Sequence, residues 1–149
     1  MPERQTVLKA KQKLRRGRSA STAAGEFVRE EMHHVREGKH GARSAKQAIA
    51  IGLSKARRAG VRLPPPKRGK KSTRKSAARD VAKARSTRSR RPSARRSAAS
   101  LRRLKREGRQ AATPRALARQ ARTTARKRPA SQRSAAARKA ARTRARRSA

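Results

Sequence analysis

The apolar residues of this chain gather in one short stretch. Between residues 21 and 63, Ala24, Phe27, Val28, Met32 and Val35 recur at spacings of three and four, the stripe of an amphipathic helix. This pattern predicts a helix over about 23–37, capped by Ser21 or Thr22, with Glu26 in its first turn and Gly38 at its stop. Ser44-Ala45-Lys46-Gln47 then has the form of a capping box, and a second helix is expected over about 45–59. Its apolar and small residues Ala45, Ala48, Ile49, Gly52, Leu53, Ala56 and Ala59 share a face, and Gly60-Val61 suits a Schellman ending. The loop from Gly38 to Arg43 is short enough to make the two helices antiparallel neighbours. Ile51 projects away from the stripe, so it lies exposed or marks a second contact surface.

The core available to this hairpin is small. Phe27, Val28, Met32, Val35, Ile49, Leu53, Val61 and Leu63 are its large side chains, few for the entropy of ordering some forty residues. Support is therefore expected from a second copy (a homo-oligomer through the hairpin), a protein partner, or the N-terminal arm, residues 1–20. That arm carries seven basic residues against Glu3 and allows a frayed helix around Val7 to Leu14. Pro64-Pro65-Pro66 follows as a stiff spacer.

From Lys67 onward the periodic pattern is absent. Arg, Ala, Ser and Lys fill 63 of the 83 positions from 67 to 149, a low-complexity tail with no evident core. Like-charge repulsion is expected to keep it disordered when free. On a polyanion it should become helical in pieces, roughly 74–88, 95–107, 115–127 and 131–147, broken at Pro92, Pro114 and Pro129. The fold class expected is thus mostly disordered: a small all-α helical hairpin with a long basic tail.

Charge decides what such a tail can do. The chain carries a net +41, and 32 of its 48 Lys and Arg lie after Pro66, opposed there only by Asp80 and Glu107. Such a stretch calls for a polyanion, and duplex DNA binds it through counterion release without base reading. Phe27 is the one aromatic residue, so no stacking platform for single-stranded bases exists; structured RNA is the alternative ligand. The expected interface is collective: Lys55, Arg57 and Arg58 at the end of the second helix; Lys67, Arg68, Lys70 and Lys71 at the tail's start; Arg88, Arg90, Arg91, Arg95, Arg96, Arg102 and Arg103; then Arg126, Lys127, Arg128, Arg144, Arg146 and Arg147.

Other chemistry is sparse. Glu26, Glu30, Glu37 and His33 fall on the face opposite the apolar stripe of the first helix, serving its dipole and solubility or docking basic segments of the same or another copy. Glu30, His33 and Glu37 have ligand-like spacing, but one helix does not complete a metal site, so no metal, cofactor or catalytic pair is expected. His33, His34 and His40 are expected to be exposed. Phosphate loops, nucleophile elbows and Walker patterns are lacking, and an enzyme is not expected. There is no cysteine and no apolar run of membrane-spanning length; a cytoplasmic, nucleoid-associated location is expected.

The run from Ser44 to Gly60, SAKQAIAIGLSKARRAG, resembles the core motif of a small family of uncharacterised, basic, mostly bacterial proteins, the likeness extending over about 25–66. It implies the hairpin and no established activity. The tail resembles linker-histone C-terminal tails, though with Arg favoured over Lys and without repeated Ser-Pro-Lys-Lys units. The expected function is non-sequence-specific binding and compaction of DNA. The alternatives are an RNA- or ribosome-associated protein, and a protein-interaction module localised by its tail.

Overall fold

The computed structural model of the chain describes residues 2–67, 69–86 and 93–148. These contain seven α-helices, one short 3-10 turn and no strand: α1 (Arg4–Arg15), α2 (Ala20–Arg36), α3 (Ala45–Arg58), α4 (Lys71–Arg85), α5 (Ala94–Arg106), the turn Gln110–Ala112, α6 (Pro114–Arg126) and α7 (Ala130–Ser148). About 75% of the described residues are helical. The expectation of a two-helix hairpin on a disordered chain is therefore incorrect.

Local chemistry sets the helix ends. Ser19, rather than Ser21 or Thr22, caps α2, its hydroxyl accepting from the Thr22 amide at 3.3 Å. Gly38 takes φ +77° and the Lys39 amide reaches back to the His34 carbonyl, a Schellman stop. Ser44 accepts from the Gln47 amide, and Gln47 in return accepts from the amide of Arg43. At the far end of α3, Val61 donates to the Ala56 carbonyl and buries its side chain.

The chain forms two compact units, Met1–Thr113 and Pro114–Ala149. In the first, α2 and α3 pack antiparallel around Phe27 and Val35, with Ala23, Ala24, Ala48 and Ala56 filling the gaps. Small residues let the helices approach closely. A Cβ at Gly52 would lie 2.7 Å from the Val28 Cα and 3.0 Å from the Phe27 carbonyl oxygen. Val28, Ile49, Leu53 and Leu63, expected in the core, are only half-buried at its margin, because the helices meet through alanines instead.

The burial that a bare hairpin lacks comes from the same chain. The N-terminal arm is a full helix, α1, packed on α2 with Thr6 and Ala10 buried. Helix α4 packs on α3 through Ala77, and its Asp80 accepts from the Ser54 hydroxyl at 2.6 Å and pairs with Arg58. Ile51, one turn before Ser54 on α3, is half-buried rather than exposed. The segment after α5 closes over the hairpin loop. Gly41 donates to the Leu104 carbonyl at 2.9 Å, Ala42 to that of Gly108 at 3.1 Å, and the Arg36 guanidinium to that of Ala112 at 3.0 Å. Ala111 and Ala112 are buried there.

The second unit holds α6 and α7. Pro114 opens α6 at its first position, where an amide would have no intrahelical acceptor and the fixed proline φ suits the helix. Repulsion between like charges opposes helix in this unit, but a like-charge pair one turn apart costs only about 0.2–0.5 kcal/mol, and salt screens it further. Ala and Arg are among the best helix formers, and that preference prevails. Helix-prone pieces were expected only on a polyanion; the chain forms them alone.

Candidate nucleic-acid interface

The seven acids of the chain are distributed very unequally. All lie in the first unit, and six meet cations there. Glu26 pairs with Lys13 of α1 and Arg29. Glu30 accepts from the Glu3 amide and from Lys55. Glu31 lies beside Lys55 and His40. Glu3 accepts from His34 and Lys39, Glu37 meets Lys39, and Asp80 meets Arg58. On the face of α2 opposite its apolar stripe, Glu26 and Glu30 are thus buried under α1 and α3, while His33 and Glu37 are exposed. Between these two roles, solubility and docking, the structure selects docking of a basic segment of the same chain.

These pairs shift the ionisation of the groups involved. The Lys13 ammonium holds the Glu26 carboxyl below the ordinary carboxylate range, against the opposing effect of burial. The hydrogen bond from His34, with Lys39 nearby, does the same for Glu3. Lys39 is raised, first by Glu37.

Several residues expected at the interface are occupied inside the first unit. Lys55 is 15% exposed and bridges Glu30 and Glu31 at 3.2 and 2.7 Å, so its charge is already neutralised. Arg57 is buried, donating to the Leu63 and Pro64 carbonyls and pinning the start of the proline spacer against α3. Arg58 is half-exposed but faces Asp80 and Ser54. These three do not form a basic surface running into the tail. Periodicity alone had put them at a helix end without saying what lay opposite.

Lys67, Lys70, Lys71, Arg95, Arg96, Arg102, Arg103, Arg126, Lys127, Arg128, Arg144 and Arg146 are all exposed. Arg68, Arg88, Arg90, Arg91 and the side chain of Arg147 lie outside the described residues, as does Pro92. The exposed ones lie before and within α4, on α5, and on or between α6 and α7.

Ordering of the tail creates an arrangement that composition did not reveal. On α6, Arg115, Arg119, Arg122 and Arg126 follow one another at spacings of four, three and four, all exposed, forming a single stripe about 16 Å long. On α7, Arg138, Arg142 and Arg146 do the same at spacings of four. The spacing is present in the sequence, but it makes a stripe only once the segment is helical. The second unit carries 13 Lys and Arg and no acid. No described helix is long and apolar enough to cross a membrane.

No curated protein and no solved structure matches the chain. Residues 17–68, the segment from the turn before α2 through α3 and the proline spacer, match a family of unknown function (DUF6496).

Proposed function

We propose that the protein binds double-stranded DNA without marked sequence preference, using α6 and α7 as its main contact surface, and compacts it as a nucleoid-associated protein. The observation that carries this reading is the segregation of charge. Six of the seven acids are paired within the first unit, while the second unit carries 13 cations with no acid and aligns seven of them in two exposed arginine stripes. Guanidinium groups suit multidentate phosphate contact, and preformed helices lower the entropy of binding compared with a tail that must order on contact. The absence of exposed aromatics favours a duplex over splayed single strands.

The test compares the full chain with a chain ending at Thr113, titrated against duplex DNA and structured RNA across salt concentration. Neutralising about ten phosphates gives a log–log salt slope near −9, or about five decades of affinity between 50 and 200 mM salt. The expected result is preference for duplex DNA, with most of that slope lost on truncation. Binding that survives truncation with an unchanged slope, or a strong RNA preference, overturns the reading.

A further inference from the structure

We propose that Glu31, His34 and His40 form a binding site for a divalent transition-metal ion of the zinc class, separate from the nucleic-acid surface. Glu31 is fully buried in α2, one of the largest side chains without exposure in the molecule. One face of its carboxylate is fixed, since the Lys55 ammonium lies 2.7 Å from Oε2. Oε1 lies 3.2 Å from His40 Nε2, and His34 completes the group. His34 stands one helical turn further on, and His40 sits in the loop after α2; their side chains are 12% and 11% exposed. One ligand atom from each of the three residues lies within 4.8 Å of the others, and the two rings meet edge to face with centroids 6.0 Å apart.

Two details point to a metal rather than a simple ion pair. His40 Nδ1 lies 3.1 Å from the Gly41 carbonyl oxygen, which only accepts, so Nδ1 carries the proton. In the neutral ring the Nε2 lone pair then faces Glu31 Oε1 at 3.2 Å, acceptor against acceptor. Neither carboxylate oxygen receives a well-aligned hydrogen bond, although Glu31 is wholly buried. A cation between them removes the conflict. Two ligand atoms each about 2.0–2.1 Å from a tetrahedral zinc are separated by about 3.3 Å, close to the separation found.

The surroundings are those of a metal site. The Gly41 carbonyl holds His40 in the tautomer that leaves Nε2 free, and Lys55 on Oε2 makes Glu31 monodentate. His34 Nε2 is 2.9 Å from Glu3 Oε1, a carboxylate placed to orient its ring. Two imidazoles and one carboxylate leave a fourth position for water. A bound ion would tie α2 to the loop whose Gly41 and Ala42 amides hold the segment after α5, and so stabilise the first unit.

The experiment uses the full chain, freed of nucleic acid and stripped with a chelator, titrated with Zn²⁺ against a competing indicator and with Co²⁺ by visible absorption. The expected result is one equivalent bound, with a rise in Tm; His34→Gln and His40→Gln should each weaken binding by about tenfold or more, and His33→Gln, altering an exposed neighbour, should not. Should either variant fail to fold, the wild-type chain decides by NMR: both the His34 and His40 ring resonances must shift on addition of Zn²⁺. No saturable binding, or binding equally strong in folded His34→Gln and His40→Gln chains, overturns the proposal and leaves a proton as the cation between His40 and Glu31.

Discussion

Gly25 and Gly52 both occupy helix interiors, and the same substitution should have opposite effects at the two sites. Gly25→Ala places a methyl in open space on α2, with nothing within 4 Å. It should stabilise the fold by about 0.5–1 kcal/mol, since alanine restricts the unfolded chain and favours helix. Gly52→Ala gains the same helix preference but places its Cβ 2.7 Å from the Val28 Cα and 3.0 Å from both the Val28 nitrogen and the Phe27 carbonyl oxygen. All three are backbone atoms, so α2 and α3 must separate, uncoupling contacts around the buried Phe27 ring. Overpacking of this kind costs about 1–3 kcal/mol. Helix propensity cancels in the comparison, and the two variants should therefore differ by about that amount, roughly 4–12 °C in Tm for a unit of this size. Thermal unfolding followed by circular dichroism, at a fixed ionic strength, measures it. If Gly52→Ala raises Tm as much as Gly25→Ala, the close helix crossing does not exist in solution.

The remaining expectations concern charge. Changing Arg115, Arg119, Arg122 and Arg126 together to Gln should leave helicity unchanged while making the salt slope of DNA binding shallower by about 3.6, or about two decades less attenuation between 50 and 200 mM; fluorescence anisotropy with duplex DNA reads it, and an unchanged slope removes α6 from the interface. Because Lys13 depresses the Glu26 carboxyl, the pair stabilises the docked α1 fully above the unfolded value near 4.5 and loses that contribution as pH falls through the lower folded value. Protection factors of the α1 amides, taken relative to the intrinsic exchange rate at each pH, should therefore fall on acidification, and Lys13→Met should remove that acid step. Asp80→Ala deletes the Ser54 hydrogen bond and the Arg58 pair, and should weaken docking of α4 by roughly 1–2 kcal/mol, seen as lost amide protection across Lys71–Arg85 without global unfolding.

The sequence by itself determined the local features of the chain. Helix-period spacing marked the stretches that became α2 and α3, and Gly38, Ser44 and Gly60 marked their ends, because caps and left-handed turns depend on the nearest few residues. It also determined the large positive charge and its asymmetry, which need only counting. The tertiary structure decided what those features meet. Ala77, Ala111 and Ala112 look like ordinary low-complexity alanines, yet they are buried, since a small side chain can seal an interface without a hydrophobic signal strong enough to stand out in sequence. Lys55 and Arg57 looked like ligands for phosphate, but the Leu63 and Pro64 carbonyls hold Arg57 and Glu30 and Glu31 lie against Lys55, and no spacing rule places Lys55 beside Glu30, 25 positions away. His34 and His40, expected to be exposed, are largely covered beside the buried Glu31 for the same reason. A helix register puts Glu31 near His34, but only the turn at Gly38 and the docking of α3 bring His40 and Lys55 to the same carboxylate. Long-range placement follows from which faces bury one another, a property of the whole packed chain rather than of any window along it.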